Sequence, residues 1–164
     1  MQSSNPVLKK IYLFTQDLLD YNEDLLHIGR TNEELENSTE NKIAFDSTSN
    51  ATRISSSKSF DGDAEIMTLS TRWSQTVTLS FFGNDAYDVV DDFINMQLSQ
   101  LAYELQYQNE ITVKLASDIL DIKLLTGSTY VNRLDISLNV LYNKKKEIAI
   151  RRLDELQQQL FYNN

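Results

Sequence analysis

Two periods of apolar residues organise the chain, and they meet at Gly83. Before it, Trp73, Val77, Leu79 and Phe81 share one parity while Thr76, Thr78 and Ser80 take the other, the period of a half-buried strand. After it, Ala86, Val90, Ile94, Leu98, Leu101 and Leu105 recur at helical spacing, with Phe93 and Ala102 beside them. That face predicts one long helix over 85–107. Gly83 supplies the hinge, and Asn84 or Asp85 can cap the helix. Asp88, Asp91 and Asp92 place negative charge near the positive end of its dipole. The remaining elements must cover these two apolar faces.

The same reading extends in both directions. Asn5 can cap a helix that begins at Pro6, where a missing N–H costs nothing. Val7, Ile11, Phe14, Leu18 and Tyr21 form its stripe and predict a helix over about 6–20. Leu25, Leu26 and Ile28 make a short apolar patch ended by Gly29, and 31–40 is an acidic, aperiodic loop. Residues 42–46 predict a short strand. The Ser-, Thr- and Asn-rich stretch 47–59 predicts a hairpin arm or long loop, with Arg53 and Ile54 as its marked features. Phe60-Asp61-Gly62-Asp63 predicts a turn, and 64–82 a long strand. A hairpin over 42–82 would then extend from a compact body. Ile111, Val113 and Leu115 alternate as one strand, and Leu120, Ile122 and Leu124 as another. A turn at 126–128 precedes the clearest strand, Leu134, Ile136, Leu138, Val140 and Tyr142. Asn143 to Lys146 predicts a polar turn, followed by a strand near 147–152 and a helical end through Leu153, Leu156 and Leu160. The sum is an α+β fold in one domain over 1–164. It has a single mixed, mostly antiparallel sheet, a long central helix and an N-terminal helix on one face, and an extended hairpin arm.

Composition narrows the chemistry more than the fold. A chain of 164 residues with 41% hydrophobic content suits one core. No run approaches the ~20 apolar residues of a membrane helix, and Met1 to Asn5 lacks an apolar signal segment. There is no cysteine, so no disulfide framework, thiolate nucleophile or thiolate ligand. A single histidine, His27, excludes histidine-rich metal sites and reads as a packed or surface residue. A net charge of −9 disfavours a general nucleic-acid binder. Asp88, Asp91 and Asp92 could suggest a metal site, but a solvated helix start explains them. Asp121-Ile122-Lys123 resembles the Asp-x-Lys element of a metal-dependent nuclease strand, carboxylate for Mg²⁺ and lysine for developing charge. Its usual upstream acidic partner is missing, because Asp118 is only three residues away. No catalytic, metal or cofactor site is therefore assigned, and that nuclease stands as the alternative of another class.

Charge is also unevenly spread. Lys144, Lys145, Lys146, Arg151 and Arg152 are five of the fifteen basic residues. With Arg53 and Ile54 they are the candidate subunit or partner interface, against a solvated hairpin tip as the plain reading. Trp73, Tyr12, Tyr87, Tyr103, Tyr107 and Tyr142 supply large amphipathic side chains suited to interfaces or to the core.

One resemblance gives these features a context. An acidic extended arm enters the strand Thr76-Val-Thr-Leu-Ser-Phe-Phe-Gly83, then Asn84-Asp-Ala86 and a long helix. A Leu124-Leu-Thr-Gly127 turn precedes Asn132-Arg-Leu-Asp-Ile-Ser-Leu138 and a strand ending at Tyr142. Over about 42–143 this arrangement resembles the neck or tail terminator proteins of long-tailed bacteriophages. The resemblance implies a non-enzymatic α/β virion protein, assembled in the host cytoplasm without membrane or cofactor. It implies a hexameric ring that caps the tail tube, stops its polymerisation and meets the head-side connector. DNA passes through the lumen without sequence-specific binding, and an acidic lumen would keep it from adhering. A head-completion or stopper protein of the same neck is the alternative within the class.

Overall fold

The computed structural model describes residues 5–29, 40–126 and 129–149, with backbone alone at 123–126 and 129–131. The order is α1 (Pro6–Leu19), a 3-10 turn (Glu23–Leu25), β1 (Leu26–Ile28), β2 (Lys42–Ser47), β3 (Thr52–Asp61) and β4 (Ile66–Phe82). Then come α2 (Ala86–Met96), α3 (Gln100–Gln108), β5 (Ile111–Leu115), β6 (Leu120–Thr126) and β7 (Thr129–Ala149). Among the described residues the strands make one seven-stranded sheet ordered β1-β2-β4-β7-β5, with β3 also on β4 and β6 also on β7. β1 runs parallel to β2, while β2–β4, β5–β7 and β6–β7 are antiparallel. The fold is α+β with a mixed, mostly antiparallel sheet, and helices pack on it.

The chain divides into two compact units, Met1–Thr52 with Ser74–Tyr142, and Arg53–Trp73 with Asn143–Asn164. The first holds the core. Cross-strand pairing sets Ile43 opposite Phe81 and Phe45 opposite Leu79, so these four share one face. Tyr12 of α1 meets Phe45 at 5.7 Å between ring centroids, and Phe93 of α2 meets Phe81 at 5.9 Å. Both helices therefore cover the same face, where Val7, Ile11, Phe14, Val90 and Phe93 are almost wholly buried. From β7, Leu134, Ile136, Leu138 and Val140 are buried at alternate positions, as a period of two requires. The opposite parity of β4 is more polar yet also buried, through Thr78, Ser80 and Phe82. There the Arg133 guanidinium lies 5.6 Å from the Phe82 ring centroid and grips Asp135 with two bonds of 2.9 and 2.8 Å.

The corner at Gly83 is fixed from outside the strand–helix unit. Gly83 has φ +115°, and a Cβ there would lie 2.7 Å from the Glu40 carbonyl oxygen and 2.8 Å from Asn41 Cα. Asn41 clasps the start of α2: its amide nitrogen donates to the Asp85 carboxylate and its amide oxygen accepts from the Asp85 N–H, each at 3.0 Å. Asp85 is thus the cap residue, but its own side chain makes no capping bond.

Four expectations change. The helix expected over 85–107 is two helices, because Ser99 starts a second one by accepting from the Ala102 N–H at 3.2 Å. Leu98 consequently lies 79% exposed and Leu101 40%, so neither belongs to the core. The hairpin arm expected over 47–59 forms as strand β3, but its turn moves to 62–65, where Asp61 accepts from the N–H groups of Asp63 and Ala64. Lys144 to Lys146 do not turn: β7 runs through them to Ala149, absorbing the start of the separate strand expected at 147–152. The expected loop over 31–40 (save Glu40), the turn at Gly127 and Ser128, and the helical end lie outside the described residues.

Candidate functional site

The second unit gathers most of the residues expected to form an interface. All ten residues of β3 are exposed, as are 143–149 of β7. Arg53 is exposed and donates to the Ser56 hydroxyl at 2.8 Å, and Ile54 is 53% exposed. The Lys144 ammonium lies 5.3 Å from the centroid of the Trp73 ring, a cation–π contact. That contact puts Lys144 on the Trp73 side of the sheet, and the period of two brings Lys146 and Ile148 with it. The same period aligns Met67 and Leu69 with Trp73 along β4. One face thus combines half-buried apolar side chains with two lysines. Lys145 is exposed at the alternate position, and Arg151 and Arg152 lie outside the described residues.

The first unit presents a different surface. On α2, Asp88, Asp91 and Asp92 are exposed and form no ion pair among the described residues. At the α2–α3 junction and along α3, Leu98, Tyr103 and Tyr107 stand out at 79%, 61% and 88% exposure. Tyr103 and Tyr107 are four apart, so they stack along one helix face, in an open groove with Gln100, Glu104 and Gln108. The sequence pattern missed this surface because it assigned Leu98 to the buried stripe. The break at Ser99, a residue suited to helix starts, was the signal available.

The two units also differ in charge. By sequence the first carries seven basic and eighteen acidic residues, a net −11. The second carries eight basic and six acidic, a net +2.

Among the described residues no catalytic arrangement assembles around the nuclease-like tripeptide. Asp121 is exposed and accepts a hydrogen bond from the Tyr87 hydroxyl, which holds the Tyr87 phenol above its ordinary pKa. The Lys123 side chain lies outside the described residues. Among the described residues no three carboxylates or histidines converge to hold a metal. His27 sits half-buried on β1. No described helix is long and apolar enough to cross a membrane.

Comparison with known families finds a match to the family described as phage neck terminator protein, over residues 9–163. No curated protein matches the chain.

Proposed function

We propose that this chain, which belongs to the phage neck terminator family, closes with further copies into a ring at the head-proximal end of the tail tube. The family is one of structural phage neck proteins, a class set in the virion between head and tail components. The ring would end tube polymerisation, present a surface to the head-side connector and let DNA pass through its lumen. The observation that carries this reading is the family match across residues 9–163, which takes in both units. The charge of the first unit fits it, since an acidic lumen repels the phosphate backbone and lets DNA slide. The exposed, core-free β3 strand also fits, because a surface left bare in one copy is available to another.

The test is tube growth. Purified tail tube protein is polymerised with and without this chain, and tube lengths are measured by electron microscopy. The reading predicts shorter tubes, each bearing extra density at one end. Tubes that reach the same lengths with bare ends would overturn it.

A further inference from the structure

We infer that the lysine-bearing face of the second unit docks on the α2–α3 face of a second copy of this chain. The inference rests on the ring reading, and it assigns the two patches that a closed head-to-tail ring requires, one of each kind on every subunit. Among the described residues nothing covers β3: it is exposed at every position, with Ile54 and Phe60 at 53% and 58%. A few strands without a packed face are marginal in water, so this sheet gains most from a partner surface. Its lysines specify the sign of that partner. The α2–α3 segment has the complementary make-up: Leu98, Tyr103 and Tyr107 are exposed, Glu104 shares the groove of the two tyrosines, and α2 carries exposed Asp88, Asp91 and Asp92.

Charge also decides the arrangement. Two first units side by side would set −11 against −11, whereas a second unit against a first sets +2 against −11. Unlike pairing is favoured and like pairing disfavoured. Because each copy carries both patches and they differ, the contact can repeat from one subunit to the next until the rotation closes.

The experiment uses the full chain in sedimentation velocity over a range of concentrations, alone and with tail tubes. Four samples are compared: wild type, K144E/K146E, D88K/D91K/D92K, and a chain carrying both sets. Each set alone should raise the concentration needed for assembly at least tenfold. The chain with both sets should assemble within about threefold of wild type, since the charges are exchanged across the contact. All changed positions are exposed, and melting curves check that folding is kept; K144Q/K146Q replaces K144E/K146E, and D88N/D91N/D92N replaces D88K/D91K/D92K, where either melts early. Assembly unchanged in either single set overturns the contact and leaves the ring reading standing. Assembly lost in both sets and not restored by combining them also overturns the pairing. Variants that form rings normally but fail only to cap tubes would assign these faces to another neck protein and overturn the self-contact. A wild type that stays monomeric, with and without tubes, removes the ring reading and this contact with it.

Discussion

Replacing Gly83 by alanine perturbs the corner between β4 and α2 in two separable ways. The first is backbone strain. Gly83 sits at φ +115°, a region costing a residue with a Cβ about 1–3 kcal/mol. The second is collision. The new methyl would press on the Asn41 side chain, on the Glu40 carbonyl oxygen at 2.7 Å and on Asn41 Cα at 2.8 Å. Two of these contacts are backbone, so they cannot yield by a rotamer change. Displacing Asn41 loosens both of its bonds to Asp85, worth about 1 kcal/mol together once their exposure is allowed for. The expected loss is about 3 kcal/mol. For a chain of this size that corresponds to roughly 6–12 °C in melting temperature. Gly62→Ala is the control: its φ is not positive, and an added Cβ would meet only Phe60 Cε1, at 3.8 Å. It should stay within about 0.5 kcal/mol of wild type. Circular dichroism melting of the three proteins decides the matter. A Gly83→Ala variant melting within about 2 °C of wild type would refute the account of this corner.

Further outcomes follow from the same geometry. Phe93→Ala should cost about 3–5 kcal/mol in urea unfolding, because Phe93 is fully buried against Phe81. Leu98→Asp should cost under about 0.5 kcal/mol, because that side chain is 79% exposed; a variant that fails to fold would return Leu98 to the core. Arg133→Ala should cost about 3 kcal/mol by leaving Asp135 buried without its cation, and a loss under about 1 kcal/mol would show that pair to be inessential. Burial, then the nearby Asp85 carboxylate, raise the Tyr21 phenol above its ordinary 10.0 in the folded state. The sign follows: that contribution is complete below about pH 10 and is lost as pH climbs toward the raised folded value. Denaturation at pH 8 and pH 11 should therefore show an alkaline loss that is smaller in Tyr21→Phe, and equal losses would remove Tyr21 from the explanation.

Elements whose pattern reflects burial were legible from the residues alone. The stripe through Val7, Ile11, Phe14 and Leu18 is α1, and the alternation of Val77, Leu79 and Phe81 is the buried half of β4. Elements held by pairing rather than burial were legible only in part. β3 has no buried face, so no alternation marks it, and composition with the Asp-Gly turn left a hairpin arm and a long loop both open; it forms because β4 offers it a ladder. Lys144 to Lys146 resemble a turn by composition, yet β7 continues through them and Lys144 rests on Trp73. Such tertiary contacts override local preference. Between 85 and 107 the apolar spacing continues without a gap across a real break, so periodicity could not separate Leu98, in solvent, from Phe93, in the core. The family was legible from the strand, corner and turn motifs together. The exposed aromatic face of α3 was not, since Tyr103 and Tyr107 fit a core as readily as a surface until the helix is placed.

The central claim, that copies of this chain close into a ring, is tested most directly by the mass of the purified protein in solution. Light scattering across a range of concentrations, alone and with tail tubes, should find one discrete assembly of about six subunits. A single-subunit mass at every concentration, with no association when tubes are added, would contradict it.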